Sequence, residues 1–194
     1  PGVFAPRPET ELVVDAVLAE VDGNPRPRVV DLCAGSGAIG LSVAHEHRGA
    51  LVDLVELDPD AFVWLERNCA GRDRVTIHLA DLAAAPTGCD GMIDVVVSNP
   101  PYVPLDERDL VDPEVRDHDP QLALWGGPDG LDVLRRVVAR AEVLLRPGGS
   151  LVMEHSERQG ESVPGLLARA GFGSVADHHD LNGRPRFATA VWPG

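Results

Sequence analysis

At 194 residues the chain has the length of one domain with room for a full apolar core. Its formal net charge of −14 and pI of about 4.7 argue against a nucleic-acid surface, because phosphate contacts need Lys or Arg. The basic residues are all arginine, and the widely spaced Cys33, Cys69 and Cys89 contain no CxxC, which supports neither a disulfide framework nor a zinc site and points to a reduced, cytoplasmic setting.

The chain opens on Pro1 rather than Met and shows no signal-peptide pattern; the natural protein is expected to begin upstream. No apolar run is long enough to span a membrane. Pro6 and Pro8 precede a helical pattern over residues 9–21, and a short apolar strand follows at 29–32. After Gly35-Ser36-Gly37 a helix is predicted to about residue 45, a second strand at 51–57, and a helix that starts at Pro59 and runs to 69. The third strand is read at 75–79 and the fourth at 93–98. Residues 103–130 are acidic, Pro-rich and without clear periodicity, the mark of a functional or mobile loop. A strong helix over 131–145 is stopped by Pro147-Gly148-Gly149, and a fifth strand is read at 150–154. A helix over 161–170 ends at Gly171, and 175–179 with 186–192 form a closing hairpin. This alternation predicts an α/β fold with a doubly wound sheet. Residues 1–194 are read as one catalytic domain.

Three places concentrate chemistry. The first is Asp31-Leu-Cys33-Ala-Gly35-Ser-Gly37-Ala-Ile-Gly40, which follows a strand and opens a helix. Its glycines let the backbone approach a ligand. Asp31, ahead of them, suits the ammonium of S-adenosylmethionine (SAM) and would repel a pyrophosphate. The second is Glu56-Leu57 at the end of the second strand, where a carboxylate can hold both ribose hydroxyls. Asp81-Leu82, after the third strand, adds an acceptor for an adenine amino group, although Asp81 alone reads equally as a helix cap. Asp58 and Asp60 are read as helix N-terminal charges. The third is Asn99-Pro100-Pro101-Tyr102, after the fourth strand. The prolines hold the turn nearly rigid, so the Asn99 side-chain oxygen and the Pro100 carbonyl become fixed acceptors beside the chain's one tyrosine. Two acceptors and an aromatic wall suit a planar NH2 group.

Together these segments resemble the protein-glutamine N5-methyltransferases of the HemK/PrmC type, class I SAM-dependent enzymes that methylate the GGQ glutamine of peptide-chain release factors. Phe4-Ala-Pro6-Arg7-Pro8-Glu9-Thr10-Glu11 is similar to the family's PRPxTE segment; the resemblance implies that Pro6 and Thr10 lie against the cofactor and Arg7 against the substrate. Residues 120–131 (PQLALWGGPDGL), 154–160 (EHSERQG) and 181–186 (LNGRPR) carry the resemblance to the end of the chain. It implies a seven-stranded, mostly parallel, Rossmann-like sheet with a C-terminal antiparallel hairpin and helices on both faces. It also implies that cofactor contacts come from Asp31, Cys33, Gly35, Gly37, Glu56, Leu57, Asp81, Leu82 and Asn99. The catalytic residues would be Asn99, Pro100 and Tyr102, with Pro101 added on the substrate side. Departures are Asp119-Pro120 where the family commonly has Glu-Pro, Glu154-His155-Ser156 where it has EIG, Cys33 at a frequent glycine, and no counterpart of the family's N-terminal helical docking domain.

The expected reaction is direct methyl transfer from SAM to an amide nitrogen, leaving S-adenosylhomocysteine (SAH). The partner is a release factor or another glutamine-bearing protein, with no membrane and no metal, and a monomer is the default. His178-His179-Asp180 is read as a solvated strand end rather than a metal site, and residues 106–119 as a solvated loop or a contact for a basic partner. Adenine-N6 or guanine-N2 methylation of nucleic acid is the alternative, opposed by the charge. A non-catalytic SAM-binding domain is opposed by the intact Asp31, Glu56 and NPPY set, and a nicotinamide oxidoreductase by Asp31 and the NPPY turn; Glu56 suits NAD and SAM alike.

Overall fold

A computed structural model describes residues 2–194. Helix α1 is Thr10–Glu20, followed by β1 (Arg28–Leu32), α2 (Ala38–Glu46), β2 (Leu51–Glu56), α3 (Pro59–Cys69), β3 (Val75–Leu79) and β4 (Ile93–Ser98). Two short helices, α4 (Pro113–His118) and α5 (Gln121–Leu124), lead to α6 (Asp132–Leu144), β5 (Leu145–Glu154), α7 (Ser162–Arg169), β6 (Gly173–His179) and β7 (Pro185–Val191). The sheet order is β3-β2-β1-β4-β5-β7-β6. The first five strands are parallel, and β7 pairs antiparallel with both β5 and β6. This is the expected mostly parallel sheet with its C-terminal hairpin. Among the described residues, no helix is long and apolar enough to cross a membrane.

Strand residues alternate between the two faces, as the pleat requires. Val29, Val52, Leu54, Val95, Val97 and Val152 pack under α1, α2 and α3, with Val13, Val17, Ile39, Val43 and Leu65 opposite them. Val30, Leu32, Val96, Leu151 and Met153 face the other way, onto Leu134, Val137, Val138 and Ala141 of α6 and Val163 and Leu167 of α7. Central strands covered on both faces read as continuous apolar runs for this reason. Each such side chain contributes about 1.5–3 kcal/mol on leaving water.

Two expectations are corrected. Strand β5 starts at Leu145, not residue 150: Ile93 pairs with Leu145 and Val95 with Ser150, so Arg146–Gly149 bulges out of register within the strand. Residues 103–130 are not featureless. They hold a 3₁₀ turn at Leu105–Leu110 and then α4, whose start is set by Pro113 and by the Asp112 side chain accepting from the Glu114 N–H. Elements this short carry too few turns for an apolar period to be read.

Candidate active site

A cavity of about 670 Å³ opens at the C-terminal ends of β1, β2, β4 and β5, where open α/β sheets bind ligands. Val3, Phe4, Pro6, residues 33–36 of the glycine turn, Glu56–Asp58, Asp81, the NPPY turn and residues 120–125 of the segment between β4 and α6 all border it.

The glycine turn is built by backbone geometry. Gly35 and Gly37 have φ of +56° and +84°, the left-handed region that glycine enters without cost. Gly40 is needed for packing: a Cβ there would lie 2.2 Å from Leu54 Cδ2. Cys33 also has positive φ, +63°, which for a side chain with a Cβ is strained. Burial pushes its thiol up to about 12, with Glu56 and Asp31 adding to the rise. Glu56 is anchored at both oxygens: the Gly35 N–H donates to Oε2 and the Asp58 N–H to Oε1, each at 2.7 Å. Each oxygen keeps a lone pair free for a ligand hydroxyl.

Asp31 is placed differently from expectation. It is almost fully buried beneath the glycine turn, and neither it nor Gly37 borders the cavity. Its Oδ2 accepts from the Gly40 N–H at 2.9 Å, while Oδ1 has no partner among the described residues. Burial raises this carboxyl to about 7, against the Gly40 bond and with help from Glu56. Asp81 borders the cavity but is already engaged: it accepts from the Ala83 N–H and from Arg136 of α6 at 2.5 and 2.6 Å. Arg136 holds its carboxyl below the usual range. Leu57 is half-exposed and Leu82 buried, both on the cavity wall. Asp58 is the cap read from the sequence, accepting from the Asp60 N–H.

On the opposite wall stand Asn99, Pro100, Pro101 and Tyr102. Ser98, just before them, donates its hydroxyl to the Leu32 carbonyl at 2.6 Å and ties the turn to β1. Among the described residues, no hydrogen bond engages the Asn99 side chain or the Pro100 carbonyl, so both remain acceptors. Pro6, Arg7 and Thr10 also border the cavity. Arg7 lies over the Phe4 ring and pairs with Asp119 at 2.8 Å, which gives the Asp119 departure a role in holding the segment over the site.

Three residues of the later segments, Gln159, Gly126 and Gly130, support the NPPY turn. Gln159 donates through Nε2 to the carbonyls of Tyr102 and Gly130, both at 3.2 Å, and its Oε1 accepts from the Ser156 N–H. Gly126 and Gly130 leave no room for a Cβ, which would lie 2.8 Å from the Pro101 carbonyl and 2.4 Å from the Tyr102 carbonyl respectively. Glu154, at the end of β5 and 2% exposed, also borders the cavity. A buried acid closing an apolar strand was the available signal for it. His178-His179-Asp180 is not a plain solvated strand end: His178 stacks on Phe187 and bonds to Thr189, and Asp180 is buried, capping the Asn182 and Arg184 N–H groups. Among the described residues no group of His, Cys, Asp and Glu is arranged to hold a metal ion.

The family model for the methyltransferase small domain matches residues 1–111. A release factor glutamine methyltransferase of Streptomyces coelicolor is 51% identical over 98% of this chain and 68% of that protein. One from Bifidobacterium longum is 45% identical over 98% of this chain and 69% of its own length. Among solved structures, the geranyl diphosphate C-methyltransferase of Streptomyces coelicolor, bound to SAH, superposes with a TM-score of 0.62 over 95% of this chain and 79% of that one. Its 12% identity speaks to the fold alone.

Proposed function

The chain belongs to the release factor glutamine methyltransferases, within the methyltransferase small-domain family, and from that premise we propose that it methylates the side-chain amide nitrogen of the GGQ glutamine in a peptide-chain release factor. The cofactor is SAM. A single catalytic domain over residues 1–194, acting in the cytoplasm on a protein partner, belongs to the same proposal.

The observation that carries it is that Asn99 and Pro100, whose side-chain oxygen and carbonyl are engaged by no hydrogen bond among the described residues, line the same cavity as an anchored carboxylate and a glycine turn. SAM fits what is there. Glu56 would take the ribose hydroxyls and the Gly35 turn would admit the chain of the methionine moiety. The orphaned Oδ1 of Asp31 would answer its ammonium from beneath the turn, a buried carboxylate being stabilised by a nearby cation. Asp81 would serve the adenine amino group only in competition with Arg136. When bound, SAM supplies an electrophilic methyl group.

The chain's own task is to make a poor nucleophile competent, because an amide nitrogen's lone pair is delocalised into its carbonyl. Asn99 Oδ1 and the Pro100 carbonyl would each accept one amide N–H, pinning the nitrogen with its lone pair toward the methyl donor. Positioning of this kind supplies several kcal/mol of a barrier. The same two oxygens stabilise positive charge as it grows on nitrogen. Tyr102 would pack on the amide plane, and Arg7, beside Phe4 and Asp119, would meet the substrate chain. The proton leaves readily to water, so no strong base is required.

Nucleobase methylation has less support: the net charge is −14, and the segment beside the opening carries Asp106, Glu107, Asp109, Asp112, Glu114, Asp117 and Asp119 against two arginines. The test is methyl-labelled SAM with a release factor and, separately, with a lysate of proteins and RNA. Label on the release factor that disappears when its GGQ glutamine is changed is the expected result. Label only in RNA overturns the proposal.

A further inference from the structure

Resting on the functional reading above, we propose that Glu154 is a positioning residue for methyl transfer: its carboxylate, shared between the Thr10 hydroxyl and the Tyr102 hydroxyl, clamps the two sides of the cavity together. The Thr10 Oγ1–H donates to Oε2 at 3.0 Å and the Tyr102 O–H to Oε1 at 3.5 Å. Thr10 opens α1, next to the segment with Pro6 and Arg7; Tyr102 ends the turn that carries the two free acceptors. The three residues are 52 and 144 positions apart in sequence. No other side chain of the described residues bonds to both the α1 segment and the NPPY turn.

The clamp depends on charge. A carboxylate accepts at both oxygens, whereas a neutral carboxyl carries a hydrogen on one of them and forfeits an acceptor site there. The Tyr102 bond, at 3.5 Å, is the weaker of the two, and charge-assisted bonds are the stronger kind. Protonation therefore releases the tyrosine first. The groups that face Glu154 are Glu9 at the start of α1, Tyr102 after β4 and Arg186 of β7, which lies 3.8 Å from Asp180. The next residue, His155, is turned to Asp177 instead, at 2.9 Å. Burial raises Glu154 to about 7; Thr10, Arg186 and Tyr102 oppose the rise and Glu9 adds to it. Its charge thus changes near neutrality, and the clamp tightens as pH rises through that range.

The experiment compares the parent enzyme with Glu154→Gln, Tyr102→Phe and Thr10→Val, measuring kcat and KM for a release factor from about pH 5.5 to 9. In the parent, kcat climbs with pH along an acid limb centred near neutrality. Glu154→Gln loses that limb and runs about 10–100-fold below the parent's plateau, with KM for the release factor and SAH binding little changed. A Glu154→Gln profile that keeps the limb overturns the proposal. A parent that leaves the release factor unlabelled defeats the functional reading instead, and a second arm, without acceptor, then decides the clamp. In protein labelled at the glutamate carboxyl carbons, one signal titrates near neutrality and is missing in Glu154→Gln. Its midpoint moves up in Tyr102→Phe and in Thr10→Val, because each variant removes a donor to the charged form. A midpoint unmoved in both variants overturns the clamp.

Discussion

The glycine-turn half of the cavity and the NPPY half are held by different ranges of the chain. On the first side, Asp31 bonds to Gly40 nine residues on, Gly35 to Glu56 twenty-one on, and Asp58 to Glu56 two back. On the second, Tyr102 is braced by Gln159 and Glu154 more than fifty residues away, and the segment above it is tied by Arg7–Asp119 across 112 positions. Asp81 apart, which Arg136 holds across 55 positions, the first half is a local property of strand ends. The other exists only once the whole sheet has closed, so substitutions far from the reacting atoms should damage the acceptor side and spare the cofactor side.

The sharpest way to separate the halves is Asn99→Ala. It removes an acceptor aimed at developing charge, and kcat should fall by about 10³-fold while calorimetric binding of SAH stays at the parent value. Equal loss of both would mean that the halves are not separable at that residue. Gly130→Ala attacks the same side from behind: with φ of +73° and the Tyr102 carbonyl 2.4 Å from the new Cβ, it should cost about 2 kcal/mol of stability and lower kcat. Unchanged denaturant midpoint and turnover would show that the brace is dispensable.

The glycine-turn side is tested by pH. Asp31 titrates higher folded than its ordinary value of 3.8, at about 7, because of burial, and Glu154 is raised in the same direction. The folded protein therefore holds more protons than the unfolded chain between those values, and this contribution is full below the ordinary carboxylate range and lost as pH rises through about 7. Without ligand, stability should decline by about 2 kcal/mol per group from pH 5 to 8. Asp31→Asn should flatten its share of the decline, and SAH, through its ammonium, should offset that share in the parent but not in the variant. A melting temperature in Asp31→Asn that follows pH as in the parent would remove Asp31 from the account. The smallest effect belongs to Arg7→Ala: the pair with Asp119 is partly exposed, so stability should change by under about 1 kcal/mol, read in denaturant melts, with KM for the release factor rising more than kcat falls.

By itself the sequence determined the order of the central elements, because strands buried on both faces read as apolar runs and helices as 3.6-residue periods. It also located the glycine turn, Glu56 and the NPPY turn, because each is a short segment whose conformation follows from its own residues: glycine at positive φ, proline at fixed φ, a carboxylate at a strand end. Tertiary structure alone decided what no window of ten residues contains. It put Asp31 beneath the turn rather than on the cavity wall, gave Asp81 to Arg136, stacked His178 on Phe187, and made braces of Gly126, Gly130 and Gln159. It also brought Thr10, Tyr102 and Glu154 to one point. Those outcomes depend on which strand ends lie side by side in the order β2-β1-β4-β5, and that adjacency is fixed by burying two faces of one sheet, not by any residue's local preference.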